Sequence, residues 1–216
     1  IRGAEACDDG NLDPGDGCDA ACTTEGGWAC EGEGVGSCAT VCGDGLLRGA
    51  EQCDDAGLEP GDGCDGACAI EQGWACAGEG DGTCVARCGD GLLRGTEECD
   101  DANLEPGDGC DATCGTEVGW ACAGEGAGSC ATVCGDGLLR GAEGCDDANL
   151  DQGDGCDAAC EVEGGWRCDG EGAGRCSALC GDGLVRGAED CDDANADPGD
   201  GCGAACRVEG GWTCTG

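Results

Sequence analysis

The sequence predicts small, disulfide-rich, loop-dominated tandem repeats with short helical turns and small β-hairpins, arranged as an elongated rod or superhelical array. Cysteine supplies 28 of the 216 residues and glycine 50, and the only aromatic residues are five tryptophans. A cysteine content above about 8–10% is typical of a disulfide scaffold. So few large side chains bury too little apolar surface to offset the entropy of ordering the backbone. Covalent or ionic links must therefore stabilise the fold.

The second observation behind this prediction is an internal repeat of 46 residues without insertions. The motif Cys-Gly-Asp-Gly begins at Cys42, Cys88, Cys134 and Cys180, and one tryptophan and one arginine per repeat keep the same period: Trp28, Trp74, Trp120, Trp166, Trp212, Arg2, Arg48, Arg94, Arg140 and Arg186. The predicted repeats are 1–41 (incomplete at its start), 42–87, 88–133, 134–179 and 180–216 (incomplete at its end). We expect this chain to be a window of a longer array. Equal spacing gives every repeat the same relation to its neighbour, which favours a regular rod.

Within a repeat, turn clusters of Gly, Asp and Pro separate short ordered segments. The segment Asp65–Glu71 is predicted to form one or two helical turns. Cys64 and Cys68 are four residues apart, would share a helix face, and should therefore bond different partners.

A glycine-rich loop lies between the segments 74–76 and 83–85, which predicts a small β-hairpin. The hairpin suggests a disulfide between Cys76 and Cys84. The pairing among the other four cysteines of the repeat stays open, since six cysteines allow fifteen connectivities. Those four are Cys42, Cys53, Cys64 and Cys68.

The composition also restricts location and partners. Disulfides at this density require an oxidising compartment, so we expect the protein to be extracellular or on the cell surface. No apolar run approaches the ~20 residues of a membrane helix, so membrane insertion is not expected. The net charge of −39 makes nucleic acid and anionic lipid poor partners and multivalent cations good ones. The absence of lysine is also compatible with a high-salt habitat.

The strongest functional signal lies between the second and third cysteines of each repeat. This loop holds two adjacent Asp, an Asn two residues later, and an Asp between two glycines. Such hard oxygen ligands suit Ca²⁺, which takes six to eight oxygens in flexible geometry; Mg²⁺ ranks second. The alternative is that these residues only cap and turn the chain. The predicted ligands are Asp8, Asp9, Asn11, Asp16, Asp54, Asp55, Asp62, Asp100, Asp101, Asn103, Asp108, Asp146, Asp147, Asn149, Asp154, Asp192, Asp193, Asn195 and Asp200.

The second repeat departs from this pattern because Gly57 replaces the Asn. If the Asn side chain is a ligand, this site should be weaker; if only a permissive backbone is needed, Gly serves equally well.

Two further carboxylate sets recur with the same period. The Asp of Cys-Gly-Asp-Gly is predicted to complete the same Ca²⁺ site or to form a second one: Asp44, Asp90, Asp136 and Asp182. A glutamate three residues after the repeated arginine is favoured as an Arg–Glu pair at a turn over a metal ligand: Glu51, Glu97, Glu143 and Glu189.

Other chemistries have less support. Zinc or soft-metal binding by the cysteines is disfavoured, because the chain has no His and no Cys-x-x-Cys motif. Each Trp is expected to pack on a disulfide, with sugar stacking as the alternative. We do not expect an enzyme: His, Lys and Tyr are absent, and Ser37, Ser129 and Ser177 have no base nearby. Five copies of one acidic loop indicate repeated ligation and not a single catalytic cleft.

The pattern CGDG…E.CDD.N…GDGC…C..E.GW.C covers the whole chain and resembles the Myxococcus-type cysteine-rich repeat. It is more distantly similar to the Notch-type repeats, which bind calcium. The resemblance implies an extracellular module with Ca²⁺ in the Asp-rich loop. Gly57 and Gly203 are departures, because the first removes the loop Asn and the second removes the Asp that follows the third cysteine.

These observations together predict an extracellular structural protein, a calcium-rigidified and disulfide-stapled rod or filament that self-associates into a fibre, stalk or sheath. One alternative is an adhesion or recognition module with a surface or matrix partner. The other is an accessory region of a secreted protease.

Overall fold

The computed structural model describes residues 5–214, which form two compact units. The first unit comprises the segment that ends at Leu104, together with Ala112–Gly115 and Gly124–Ala127. The second comprises Glu105–Asp111, Thr116–Ala123 and the segment that begins at Gly128. Arg2, predicted as the first of the repeated arginines, lies outside the described residues.

Short antiparallel hairpins are the only regular secondary structure of residues 5–214. The strands are β1 (Trp28–Cys30), β2 (Cys38–Thr40), β3 (Trp74–Cys76), β4 (Cys84–Ala86), β5 (Trp120–Cys122), β6 (Cys130–Thr132), β7 (Trp166–Cys168), β8 (Cys176–Ala178), β9 (Cys202–Gly203) and β10 (Arg207–Val208). Each strand pairs with its neighbour in sequence, and the first four hairpins recur at the predicted period. In the second hairpin Trp74 lies opposite Ala86 and Cys76 opposite Cys84. The predicted hairpins and tandem repeats are therefore confirmed.

The predicted helical turns are wrong for the described residues, and the structure gives the reason. The Oδ1 atom of Asp65 accepts hydrogen bonds from the backbone N–H groups of Ala67 and Ala69, at 2.9 and 3.0 Å. Such a side chain competes with helical hydrogen bonding. Cys68 then adopts a positive φ of 55°, and Cys64 forms an antiparallel bridge with Ile70. The chain therefore reverses its direction where a helix would have continued.

Three disulfides link each complete repeat and resolve the pairing that the sequence left open. In the second repeat they join Cys42 to Cys68, Cys53 to Cys64 and Cys76 to Cys84. The two cysteines four residues apart do bond different partners, as predicted. Of the cysteines among residues 5–214, all except Cys22 and Cys214 are disulfide-bonded. Every buried apolar side chain in this range is a cysteine, so the core consists of cystine.

A glutamate carboxylate fixes the Gly-Asp-Gly turn of each repeat. In the second repeat the Glu71 carboxylate accepts hydrogen bonds from the N–H groups of Gly61 (2.8 Å) and Gly63 (2.9 Å). Gly63 adopts a φ of 118°, and a Cβ placed on it would lie 2.4 Å from Cys84 Cβ and 3.0 Å from the Trp74 ring. The turn therefore packs against the hairpin too closely for any side chain at this position.

With the predicted boundaries, the tryptophan of one repeat also contacts the next repeat within the same compact unit. A Cβ placed on Gly95 would lie 3.0 Å from the Trp74 ring, and one on Gly73 would lie 3.1 Å from Arg94 Cγ. Trp212 is 51% exposed. The predicted structural role of the Trp is thus extended: its ring lies between its own Gly-Asp-Gly turn and the following repeat.

We predict that Gly63→Ala destabilises the second repeat more than Gly61→Ala does. Both glycines have φ above 100° and both donate their N–H to Glu71, but nothing lies within 4 Å of a Cβ on Gly61. The shared backbone strain therefore cancels, and the difference of about 1–3 kcal/mol comes from overpacking against the disulfide and Trp74. Native-state hydrogen exchange of the oxidised chain measures it; equal losses would show that this contact relaxes freely.

Candidate cation site

The first Asp of each Asp-Asp pair acts as a backbone clamp. Asp54 is 1% exposed, and its Oδ2 accepts the N–H groups of Gly43 (2.9 Å) and Asp44 (3.3 Å). Its Oδ1 accepts those of Gly45 (2.8 Å) and Ala56 (2.9 Å). Because a carboxylate offers about four acceptor positions, these bonds occupy the whole group. Asp54 therefore ties the Cys-Gly-Asp-Gly segment to the acidic loop.

The electrostatics of this clamp favour the ionised form. Burial alone would raise the pKa of Asp54, but the hydrogen bonds from Ala56, Gly45, Gly43 and Asp44 lower the pKa below its ordinary value. The same arrangement recurs in later repeats at Asp100, Asp146 and Asp192. In the first repeat Asp8 accepts the N–H of Gly10.

In the first, second and fourth repeats the second Asp of the pair is buried as well, yet one of its two carboxylate oxygens has no hydrogen-bond partner. Asp9, Asp55 and Asp147 are 5, 8 and 5% exposed. One buried oxygen of each, Oδ2 of Asp9 and Asp55 and Oδ1 of Asp147, receives no hydrogen bond. The other oxygen of Asp9 and of Asp55 accepts the N–H two residues later, at 3.3 and 3.1 Å. Desolvating an anionic oxygen without compensation is costly, so these atoms are candidate cation ligands.

The Asp of the Gly-Asp-Gly turn meets this group through the loop Asn. In the first repeat Asn11 donates its backbone N–H to Asp9 and its Nδ2 to Asp16 Oδ2, the latter at 2.8 Å. The remaining oxygen of Asp16, Oδ1, is buried without a partner, as is Oδ1 of Asp154 in the fourth repeat. The two carboxylates that flank the Asn thus each keep one buried free oxygen.

In the second and fourth repeats, two different observations show that the second Asp of the pair lies near the Asp of the Gly-Asp-Gly turn. A Cβ placed on Gly57 would lie 3.4 Å from Asp55 Oδ1 and 3.5 Å from Asp62 Oδ2. In the fourth repeat the pKa of Asp147 is raised, mainly by burial and secondly by the negative charge of Asp154. A hydrogen bond from the Asn149 N–H lowers this pKa, but only partly offsets the increase. A hard cation between these oxygens would remove both the repulsion and the desolvation penalty.

The Asp residues of Cys-Gly-Asp-Gly lie elsewhere, at the contact with the preceding repeat. Asp44 Oδ1 accepts the N–H of Leu46 at 2.9 Å, and Asp90, Asp136 and Asp182 make the equivalent bond. A Cβ on Gly119 would lie 3.5 Å from Asp136 Oδ2, and Asp182 Oδ2 lies 3.6 Å from Arg186 Nη1. These contacts are those of a turn at the junction between repeats.

The glutamate three residues after the repeated arginine does not form the predicted ion pair with the arginine side chain in the second repeat. Glu51 accepts the backbone N–H of Arg48 at 2.8 Å, whereas the guanidinium of Arg48 pairs with Glu79 at 2.7 Å. Burial raises the pKa of the equivalent Glu97, against the hydrogen bond from Arg94. This carboxylate caps a turn, and the arginine pairs with the glycine-rich loop.

Cysteine-containing clusters do not offer a thiolate site. Carboxylate oxygens of Glu97 and Asp100 lie within 4.8 Å of Cys114 Sγ, and Asp54 lies as close to the sulfurs of Cys42 and Cys68. These sulfurs are disulfide-bonded, and a thiolate is required for zinc ligation. The hard oxygens of the acidic loop are therefore the better candidates.

The sequence analysis missed the glutamate that holds the Gly-Asp-Gly turn, and with it the Asp of that turn (the turn Asp). Glu25 binds the N–H groups of Gly15 and Gly17, on either side of Asp16, and Glu163 does the same around Asp154. Its signal was available, because this Glu recurs with the repeat, three residues before each Trp.

We predict that Asp54→Asn destabilises its repeat by about 3 kcal/mol at neutral pH, since an amide nitrogen cannot accept the N–H groups. The lowered pKa of Asp54 means that its stabilisation is complete above the ordinary value of about 3.9 and is lost as the pH falls through the folded-state pKa. The difference between the two proteins should therefore shrink on acidification. Hydrogen exchange or denaturant unfolding between pH 2 and 7 measures it. Asp81→Asn, an exposed position of the same repeat, is the charge-matched control; a pH-independent difference would contradict the clamp.

No helix of residues 5–214 is long and apolar enough to span a bilayer.

Comparison with known proteins identifies the chain only at the level of its repeat family. No curated protein and no solved structure is significantly similar to it. The family model described as "Domain of unknown function (DUF4215)" matches four consecutive segments, residues 21–69, 70–115, 117–161 and 158–207. These matches are phased differently from the predicted boundaries at Cys-Gly-Asp-Gly, which stay a prediction. Four tandem matches nevertheless show that the chain belongs to the DUF4215 family of cysteine-rich repeats.

Proposed function

We propose that this protein is an extracellular, non-enzymatic structural repeat protein whose acidic loops bind Ca²⁺. The single observation that supports it best is the set of buried carboxylate oxygens without hydrogen-bond partners, which recurs in the first and fourth repeats at Asp9, Asp16, Asp147 and Asp154. Single free oxygens also occur in the turn-capping Glu51, Glu143 and Glu189. What favours a cation over turns alone is that two such carboxylates flank one Asn in the same loop, as in the first and fourth repeats.

The donor set fits Ca²⁺ better than other metals. The residues that would hold it are the second Asp of the pair and the Asp of the turn: Asp9 with Asp16, Asp55 with Asp62, and Asp147 with Asp154. Asp101 and Asp108 occupy the same sequence positions in the third repeat. Two carboxylates in a short loop suit the flexible oxygen coordination of Ca²⁺, whereas Mg²⁺ demands stricter octahedral geometry. Bound Ca²⁺ would supply charge neutralisation to a chain of net charge −39.

The disulfides support the proposed location, because this density of disulfides is typical of extracellular proteins. The similarity to the Myxococcus-type repeat and to the Notch-type calcium-binding repeats supports the same hypothesis.

A rod or filament is the architecture that we propose for the array. The repeats have no insertions, and the Trp of one repeat contacts the Arg-Gly segment of the next at each junction within a compact unit, as Trp28 and Gly49 do. Identical junctions repeat one rotation and one translation, which generates a helix. Ca²⁺ would lower the repulsion between neighbouring acidic surfaces and so favour self-association.

A surface recognition module is the second candidate, and one observation favours it. A leucine beside the acidic loop recurs with the repeat and is more than half exposed: Leu12, Leu58, Leu104 and Leu150. A partner with matching apolar pockets could bind this series. Negative-stain images of the Ca²⁺-loaded chain separate the two candidates, because filaments support the first and dispersed particles the second.

We predict that Ca²⁺ stabilises the oxidised chain by about 3 kcal/mol per occupied site at a hundredfold excess over its Kd. Asp147→Asn should not lower stability in the absence of Ca²⁺, because it removes repulsion from Asp154, but should reduce the gain on adding Ca²⁺. Thermal unfolding with EDTA or Ca²⁺ at constant ionic strength measures both effects. Asp151→Asn, an exposed residue of the same loop, is the control; a chain whose unfolding ignores Ca²⁺ would contradict the proposed site.

The rod predicts a small-angle scattering profile unlike that of a compact body. A single globule of 216 residues has a radius of gyration of roughly 17 Å. Five repeats, each about 25 Å across, placed end to end should give about 30 Å or more and a rod-like distance distribution. A value near that of the globule in saturating Ca²⁺ would contradict the rod and leave Ca²⁺ binding untouched.

A further inference from the structure

We propose that the loop Asn is a positioning residue and not a ligand, and that its replacement by Gly57 makes the second repeat a weaker Ca²⁺ site than the first and fourth. This inference rests on the proposed function and adds an order of affinity among the repeats. It also predicts that the fifth repeat, whose second Asp is exposed, binds more weakly than the first and fourth.

Both ends of the Asn side chain are already engaged in the first and fourth repeats. Asn11 Oδ1 accepts the N–H of Asp13 at 2.5 Å while its Nδ2 donates to Asp16 Oδ2. In the fourth repeat Asn149 Oδ1 accepts the N–H of Asp151 at 2.6 Å, and its Nδ2 donates to Asp154 Oδ2 at 3.1 Å. The amide therefore holds one oxygen of the turn Asp.

The consequence of this bond is that the other oxygen of the turn Asp is fixed. Oδ1 of Asp16 and of Asp154 is buried and free of hydrogen bonds, as is one oxygen of Asp9 and of Asp147. Carboxylates that are fixed in this way lose little side-chain entropy when a cation binds, and preorganisation of this kind increases affinity.

The second repeat keeps one half of this arrangement. Asp55 is 8% exposed and retains its buried free Oδ2, so the fixed carboxylate is present. Gly57 offers no amide, and no hydrogen bond to the Asp62 side chain forms among residues 5–214; Asp62 is exposed. A cation here must order Asp62 itself, which lowers its affinity.

The fifth repeat keeps the other half. Asn195 still donates to Asp200 at 3.2 Å and accepts the N–H of Asp197 at 2.7 Å. Asp193, however, is exposed, and its Oδ2 accepts the N–H of Cys202 at 3.2 Å, at the start of β9. The fifth repeat therefore keeps the hydrogen bond from the Asn to the turn Asp, but lacks a buried second Asp.

A reciprocal exchange of Asn and Gly tests this inference in the full oxidised chain. Gly57→Asn should raise the Ca²⁺ affinity of the second repeat about five- to tenfold, the net worth of one ordinary, partly solvated hydrogen bond. Gly57 does not have a positive φ, and the added Cβ would make ordinary contacts at 3.4 Å or more, so the substitution is tolerated. Asn149→Gly should weaken the fourth repeat by a similar factor.

The readout is Ca²⁺ titration of EDTA-treated protein at constant ionic strength, followed by two-dimensional NMR. The amide signals of Gly17, Gly63, Gly155 and Gly201 adjoin the turn Asp and report each repeat separately. Asn195→Gly in the fifth repeat is the matched control. It removes the same two hydrogen bonds, but the second Asp of that repeat, Asp193, is exposed and not buried beside the turn. The substitution should therefore change Ca²⁺ affinity less than twofold.

The outcomes distinguish the positioning role from Ca²⁺ binding itself. If the wild-type sites bind Ca²⁺ but neither exchange alters its own repeat, the positioning role is wrong and the proposed Ca²⁺ binding stands. The positioning role is also wrong if Asn195→Gly weakens binding as much as Asn149→Gly does. If none of the amide signals responds to millimolar Ca²⁺, the proposed Ca²⁺ function itself is wrong. The order of affinity is supported if Asn149→Gly weakens Ca²⁺ binding by its repeat, Asn195→Gly does not, and Gly57→Asn strengthens binding by the second repeat.

Discussion

Cystine is the constraint on which the rest of this structure depends. The chain has no Phe, Tyr or Met, and every buried apolar side chain of residues 5–214 is a cysteine. A core of three disulfides closes short loops and lowers the entropy of the unfolded chain, which replaces much of the stabilisation that apolar burial provides elsewhere. It also brings backbone segments close together, so glycines are required where the turn meets the disulfide, as Gly63 does at Cys84.

Carboxylates accept many of the backbone hydrogen bonds that helices and sheets satisfy in larger proteins. Asp54 binds four backbone N–H groups and Glu71 binds those of Gly61 and Gly63. Loops without regular hydrogen bonding must satisfy their N–H groups somehow, and an anion forms stronger bonds than a neutral acceptor. Part of the high negative charge is therefore structural. One oxygen each of the second Asp, of the turn Asp and of turn-capping glutamates such as Glu51 stays outside these bonds, and only the two Asp lie in the same loop around one Asn.

The sequence predicted what depends on spacing and missed what depends on three-dimensional contact. The repeat, the hairpin at Trp74 and the Cys76–Cys84 disulfide follow from periodicity and turn residues. The helical prediction for 65–71 was wrong because the Asp65 side chain competes for the backbone N–H groups. Two adjacent aspartates, Asp54 and Asp55, look equivalent in sequence, yet only the structure shows that one is saturated by N–H groups and the other is not.

A continuous series of contacts connects the acidic loop of one repeat to the next repeat. Asp62 lies in a turn whose flanking glycine, Gly63, packs against the Trp74 ring, and that ring contacts Gly95 of the following repeat. A cation that fixes the turn Asp would restrict the turn, and the turn supports the ring that forms the junction. Disulfides cannot supply this restraint, because the three in a complete repeat close within it. In the proposed rod, stiffness along the array would therefore come from the contacts between repeats, of which the Trp junction is one, and a cation in the acidic loop would act on that junction.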